Sequence, residues 1–134
     1  MFSLKPIGLV QSPLTLREHA PKQGSDGAPE ARLVFFEEFW PGLANIRPGD
    51  ALLILTWLHR GDRSALQVHP KGDVRLPLTG VFSTRSPDRP NPIGIHRVRV
   101  LAVEGPAGLR VADLEAFDET PIIDLKPVLD ARER

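Results

Sequence analysis

Arg85-Ser86-Pro87-Asp88-Arg89-Pro90-Asn91-Pro92 sets two guanidiniums, a carboxylate and a carboxamide on a chain stiffened by proline. Each proline fixes its own φ and drives the residue before it toward extended geometry. Ser86, Arg89 and Asn91 are all pre-proline residues, so the backbone is largely preorganised and loses little entropy when a ligand arrives. Guanidiniums suit carboxylates and phosphates through paired hydrogen bonds, and Asn91 can donate and accept in one place. The functional reading is a rigid anion- or ligand-binding loop. The structural reading is a loop tied by an Asp88–Arg89 or Asp88–Arg85 pair. Residue physics alone leaves both open. Gly80 and Gly94 bracket the segment and suit unusual dihedrals or close backbone approach.

Two further groups can carry chemistry. Glu115-Ala116-Phe117-Asp118-Glu119-Thr120-Pro121 is followed by Asp124-Leu125-Lys126-Pro127. Carboxylates at a strand end can bind ribose hydroxyls or act as a base. The plainer reading makes them acidic turn residues, with Asp124 and Lys126 a strand-end pair. His59-Arg60 closes an apolar strand, where a polar pair either lines a rim or simply meets solvent.

Other chemistries are missing. The chain has no cysteine, which removes disulfides, thiolate catalysis and cysteine-bound metals. His19, His59, His69 and His96 lack metal-ligand spacing, so no metal is expected; each reads as a surface or hydrogen-bonded histidine. No glycine fingerprint for dinucleotides, P-loop or nucleophile elbow occurs. Seventeen basic residues balance seventeen acidic ones, so any nucleic-acid contact must rest on a local basic patch. Met1 to Val10 lacks a signal-like apolar core, and the longest apolar run, Ala51 to Leu58, is too short to span a membrane. The expectation is a cytoplasmic protein without membrane association.

The elements that must position these groups are mainly strands. Fourteen prolines in 134 residues argue against a helical bundle. Ile7 to Gln11, "ARLVFFEEF" and "ALLILTWLH" read as strands, the last nearly continuous in apolar residues and so buried. "WPGLANI" suits one helical turn with Pro41 early in it. "IHRVRVLAVEG" alternates, with His96, Val98, Val100 and Ala102 on one face and Arg97, Arg99, Leu101 and Val103 on the other. "GPAG" is a hairpin turn and "LRVADLEAF" the returning strand. The Arg-Gly-Asp tripeptide at 60–62 reads as turn chemistry. "REHAPKQGSDGAPEA" reads as a surface loop. The spacing predicts a mainly β, single-domain antiparallel barrel or sandwich with long loops and little helix over residues 1–134.

In order, "PIGLVQSP", "APKQ", "GAPEA", "WLH", "GVFSTRSPDRPNPIGIHRVRV" and "DETPIIDLKPVL" resemble the TrmO-type, or YaeB-like, family across Lys5 to Leu129. The long central motif is specific, and the D-x-T-P-x-x-D-x-K-P motif matches independently. The resemblance implies a β-barrel homodimer that uses S-adenosylmethionine to methylate N6 of threonylcarbamoyladenosine beside the tRNA anticodon. It implies a cofactor site drawing on Gln23, His59, Arg60, Arg85 and Ile95, with the strand Leu114, Glu115, Ala116, Phe117 to Asp118 against the adenosyl part. Departures are the loop Lys22-Gln23-Gly24-Ser25, Glu119 in place of a usual glycine, Val128 in place of tyrosine, and no extra C-terminal domain.

On that reading Asp118 and Asp124 are the candidate bases for the N6 proton. Arg85 is expected to hold a carboxylate, with Arg89, Asn91 and Lys126 on the substrate side. Phe82 and Phe117 are candidates to face the sulfonium. Arg85, Arg89, Arg97 and Arg99 form the expected basic patch, joined across a dimer. A same-fold methyltransferase for a small molecule, or a non-catalytic sensor of S-adenosylmethionine or a nucleotide, are the alternatives.

Overall fold

A computed structural model describes residues 1–13 and 30–129. The strands are β1 (Gly8–Gln11), β2 (Ala31–Phe35), β3 (Ala51–Trp57), β4 (Gln67–Val68), β5 (Thr79–Gly80), β6 (Ile93–Glu104), β7 (Gly108–Ala112) and β8 (Pro121–Pro127). Six of them close an antiparallel barrel in the order β1-β2-β7-β6-β3-β8, while β4 and β5 pair apart as a small ribbon. Closure leaves no free sheet edge in the barrel. Among the described residues the helical elements are three short 3-10 segments. The mainly β expectation holds, and of barrel and sandwich it is the barrel.

Alternation builds the core. Leu33, Phe35, Ile54, Val98, Val100, Leu109, Val111 and Ile122 are buried and face one another across the barrel. Contrary to expectation, β3 is not buried on both faces: Leu52, Ile54 and Thr56 are buried and their neighbours half-exposed. A closed barrel has one dry face, and the outward leucines of β3 lie on the wet one. The strand predicted through Phe39 stops at Phe35, and a 3-10 segment spans Glu37–Leu43, with Pro41 inside it. Trp40 Nε1–H donates to the Phe35 carbonyl at 2.8 Å and folds that segment onto the barrel.

Two further expectations change. The pairing of β6 with β7 shifts register between Val100 and Ala102. Past this bulge Ala102 lies opposite Arg110, and Val103 opposite the buried Leu109. Ala102 therefore leaves the face of His96, Val98 and Val100. The returning strand also ends at Ala112 rather than running to Phe117. Asp113 has φ of 70°, which breaks the pleat, and residues 114–118 cross the barrel end as irregular chain.

That crossing closes in a turn at Glu119. Thr120 N–H donates to the Phe117 carbonyl at 3.2 Å, Glu119 N–H donates to Val10 at 2.7 Å, and Glu119 sits at φ 67°. A β-carbon makes this left-handed conformation unfavourable by roughly 1–2 kcal/mol, whereas glycine would lose more chain entropy on folding. Glu119→Gly is expected to stabilise the protein by about 0.5–1 kcal/mol, read as a higher urea midpoint; a lower midpoint would show that the glutamate side chain contributes to the fold.

Candidate functional site

The long excursion between β3 and β6 carries most of the chemistry-bearing residues, and its two loops lock together. Arg89 does not reach outward. Its Nη1 donates to the carbonyls of Thr84 (3.1 Å) and Ser86 (3.0 Å), and its Nη2 to Val81 (2.7 Å). Asp88 accepts from Asp62 N–H at 2.9 Å, so the Arg-Gly-Asp turn docks on the proline loop. A β-carbon on Gly61 would lie 2.2 Å from the Pro87 carbonyl oxygen, and only glycine admits that approach. Arg63 Nε donates to Pro90 at 2.7 Å, its Nη2 to Asn91 Oδ1 at 3.0 Å, and the guanidinium lies 5.0 Å over the Trp57 ring.

Beside this clamp lies a groove of about 1300 Å3, lined by His59, Arg60, Arg85, Ile95, Glu115, Ala116 and Phe117 among others. Of the residues expected to hold a cofactor, these seven come together although they derive from four separate segments. Arg60 stacks 4.4 Å over the Phe117 ring. Arg85 is exposed and forms no ion pair among the described residues. Gln23 lies outside the described residues. Leu114 is completely buried in the core and does not line the groove.

Six expected residues, Arg89, Asn91, Asp118, Asp124, Lys126 and Phe82, stand otherwise than expected. Arg89 touches the groove, but its guanidinium is bound to backbone carbonyls. Asn91 faces Arg63 instead of the groove. Asp118 lines a different, smaller cavity and accepts from Ser12 N–H at 3.0 Å. Asp124 pairs with Lys126 at 3.2 Å on a strand away from the groove. Asp124 and Lys126 lie opposite the outward Leu55 and Leu53 of β3, and Asp118 turns toward Ser12, so none of the three lines the groove. Phe82 is 80% exposed and is not part of the lining. Gly80 has an ordinary φ of −58° and open space around it.

The groove is strongly basic. Arg60, Lys71, Arg85, Arg89, Arg97 and Arg99 line it against Asp88, Asp113 and Glu115. Arg97 and Arg99 project from the outer face of β6, as the alternation predicts. The zero formal charge of the chain therefore hides a local excess of cations, which concentrates anionic ligands. Among the described residues no three His, Asp or Glu side chains gather as for a metal, and no helix is long and apolar enough to cross a membrane.

The model of the tRNA-methyltransferase O N-terminal domain matches residues 9–133. The chain belongs to that family. It is 38% identical over 130 residues to a probable S-adenosyl-L-methionine-binding protein of Methanocaldococcus jannaschii, covering 94% of this chain and 91% of that one. It is 41% identical over 123 residues to an S-adenosyl-L-methionine-binding protein of Archaeoglobus fulgidus, covering 92% and 86%. The crystal structure of TrmO from Pseudomonas aeruginosa superposes with a TM-score of 0.76 at 26% identity, covering 96% of this chain and 56% of that one. This TrmO-family chain thus spans little more than half the length of that solved structure.

One residue of this TrmO-family groove escaped the sequence reading. His96 points inward with the core valines, where Thr56 Oγ1 and His96 Nε2 share a hydrogen bond of 2.8 Å. Thr56 is fully buried. A β-carbon on Gly94 would lie 2.5 Å from Thr56 Oγ1 and 2.9 Å from His96 Nε2, so the glycine makes room for the pair. An ionisable residue in the apolar register was the available signal. Arg63 was missed because its neighbours read as an ordinary turn.

Burial pushes the His96 imidazole from its ordinary 6.5 down to about 4. Below pH 6.5 the unfolded chain protonates here, while the folded chain does not until about pH 4. The unfolded state binds more protons in that window, so stability falls as pH falls through it, by up to roughly 3 kcal/mol. Urea unfolding of the wild type and His96→Gln between pH 7 and pH 4 should show the variant gaining relative stability on acidification by about that order. Parallel pH profiles would remove His96 as the cause.

Proposed function

We propose that this chain is an S-adenosylmethionine-dependent methyltransferase acting on tRNA, and that its target is N6 of threonylcarbamoyladenosine beside the anticodon. The observation that carries the reading is convergence: His59-Arg60, Arg85, Ile95 and Glu115 to Phe117, far apart in sequence, line one basic groove. Membership of the TrmO family supports the reaction class, and relatives named as S-adenosyl-L-methionine-binding support the cofactor.

The lining fits such a cofactor on its chemistry. Phe117 and Ala116 offer an apolar face for an adenosyl group, and Arg85 offers an exposed guanidinium for a carboxylate. Sites for small ligands commonly enclose ~300–1,000 Å3, so the groove has room for a cofactor and part of a nucleotide. When bound, S-adenosylmethionine supplies an electrophilic methyl group on a sulfonium. Arg60, stacked on Phe117, fixes the ring that forms the adenosyl wall. Arg97, Arg99 and Lys71 attract the RNA backbone. The clamped proline loop keeps Arg85 in place, and such positioning accelerates a transfer between two bound partners.

The test is methyl transfer from labelled S-adenosylmethionine to tRNA that carries threonylcarbamoyladenosine, with mass spectrometry of the digested nucleosides. Arg85→Ala should lower kcat/KM by about 10- to 100-fold, as for loss of charge-assisted hydrogen bonds. Activity should fall steeply with salt, and Arg97→Ala with Arg99→Ala should flatten that dependence. Cofactor binding without any turnover would instead mark the chain as a sensor.

We also read the protein as a homodimer. Leu66, Val74, Leu76, Leu78 and Phe82 are 41–80% exposed within the excursion next to the groove. Apolar exposure of that density marks an interaction surface. Sedimentation at micromolar concentration should show a dimer that Phe82→Glu dissociates; an active wild-type monomer would defeat this reading.

A further inference from the structure

His96 is a buried titratable group that the proposed cofactor and phosphate contacts leave without a task. Its ring lines the groove while its Nε2 is engaged by Thr56 at 2.8 Å. Among the described residues, no buried side-chain nitrogen or oxygen lacks a partner. Among the described residues the partner of this ring is at Nε2; Nδ1 has none and is therefore not fully buried, on a residue that lines the groove. Nothing about this arrangement is accidental to the backbone, because Gly94 is the residue that leaves space for it.

The chemistry of that atom is unlike the rest of the lining. Guanidiniums and ammonium groups dominate the groove and answer to phosphate and carboxylate. A buried imidazole that remains neutral to about pH 4 cannot do that. It recognises an uncharged partner, and its role follows from its tautomer. If the Thr56 hydroxyl donates to Nε2, Nδ1–H is a donor toward the groove. If Nε2–H donates to Thr56, Nδ1 is an acceptor. An adenine edge answers either state, since its exocyclic amine donates and its ring nitrogens accept. Adenine also needs a flat apolar wall, and Phe117 lines the same groove.

We propose that His96 is a positioning residue, held by Thr56, whose Nδ1 makes a neutral hydrogen bond to an adenine in the groove. The inference rests on the proposed methyltransferase reading, in which both the cofactor and the acceptor nucleoside carry adenine. It adds a determinant of where that ring sits, and it requires no proton transfer to the imidazole.

Three substitutions separate this role from a structural one. Asn at position 96 places a polar atom near the site of Nδ1 and loses the reach to Thr56. Gln places one near Nε2 and retains that reach. Phe keeps a ring and loses both. We expect His96→Phe and His96→Gln to weaken adenine-dependent function about three- to tenfold, the range for one neutral hydrogen bond. His96→Asn should restore it at least in part, although its melting temperature falls. Calorimetric titration with S-adenosylmethionine and steady-state tRNA methylation at saturating cofactor locate the adenine. A raised cofactor Kd assigns it to S-adenosylmethionine; a raised KM for tRNA with unchanged cofactor Kd assigns it to the acceptor. Either result supports the proposal. Full function in His96→Gln, with loss in His96→Asn, would reduce His96 to a partner of Thr56 and overturn it. A wild-type chain that binds no S-adenosylmethionine and transfers no methyl group would overturn the methyltransferase reading itself, and this inference with it.

Discussion

The guanidinium of Arg89 holds the excursion together. It spans three backbone carbonyls, on Val81, Thr84 and Ser86. One planar fork with fixed donor directions joins all three, adding to the bonds that Thr84 N–H and Thr84 Oγ1 already make to the Val81 carbonyl. With that brace in place the prolines need only hold the backbone extended. Asp88 then receives the Asp62 N–H, and Arg63 fastens Pro90 and Asn91 from the opposite side. Arg85 is left exposed on the groove because its neighbours in the motif are committed to the scaffold.

This division of labour explains what the sequence made legible. The loop was recognisable as rigid and cationic, but its tie is not the expected Asp88–Arg pair: Arg89 holds backbone carbonyls and Asp88 takes the Asp62 N–H. One arginine is structural and the other faces the groove, a distinction that residue type alone does not carry. Alternation located the outward arginines of β6 correctly. It failed past Val100, since a bulge is a backbone event with no required residue signature. The segment at 114–118 looked like strand because its apolar residues are buried, yet Asp113 turns the chain across the barrel end.

The carboxylates show the same limit from another side. Asp118 and Asp124 lie close to Glu115 in sequence, and sequence proximity grouped them with it. Asp118 is drawn toward Ser12 before the turn, and the positive φ at Glu119 sends the chain into the strand that carries Asp124. Asp118 caps the Ser12 N–H near β1, Asp124 meets Lys126, and Glu115 alone of the three lines the groove. His96 was hidden for the opposite reason. It occupied a core position in the pattern, and a pattern of polarity does not show that a core position ends at an opening.

The bulge in β6 has a consequence for how this barrel can vary. On its near side the even-numbered residues face the interior, and Arg97 and Arg99 face the groove. On its far side the phase is reversed, which brings Glu104 outward to meet Arg32 at 3.2 Å and Arg110 at 3.8 Å. A single long strand thus behaves as two pieces with independent phasing. The far hairpin, with its turn at Gly105, can accept changes of length or composition that alter its own ion pairs without rotating the near half. The half that lines the groove is insulated from drift at the other end of the barrel.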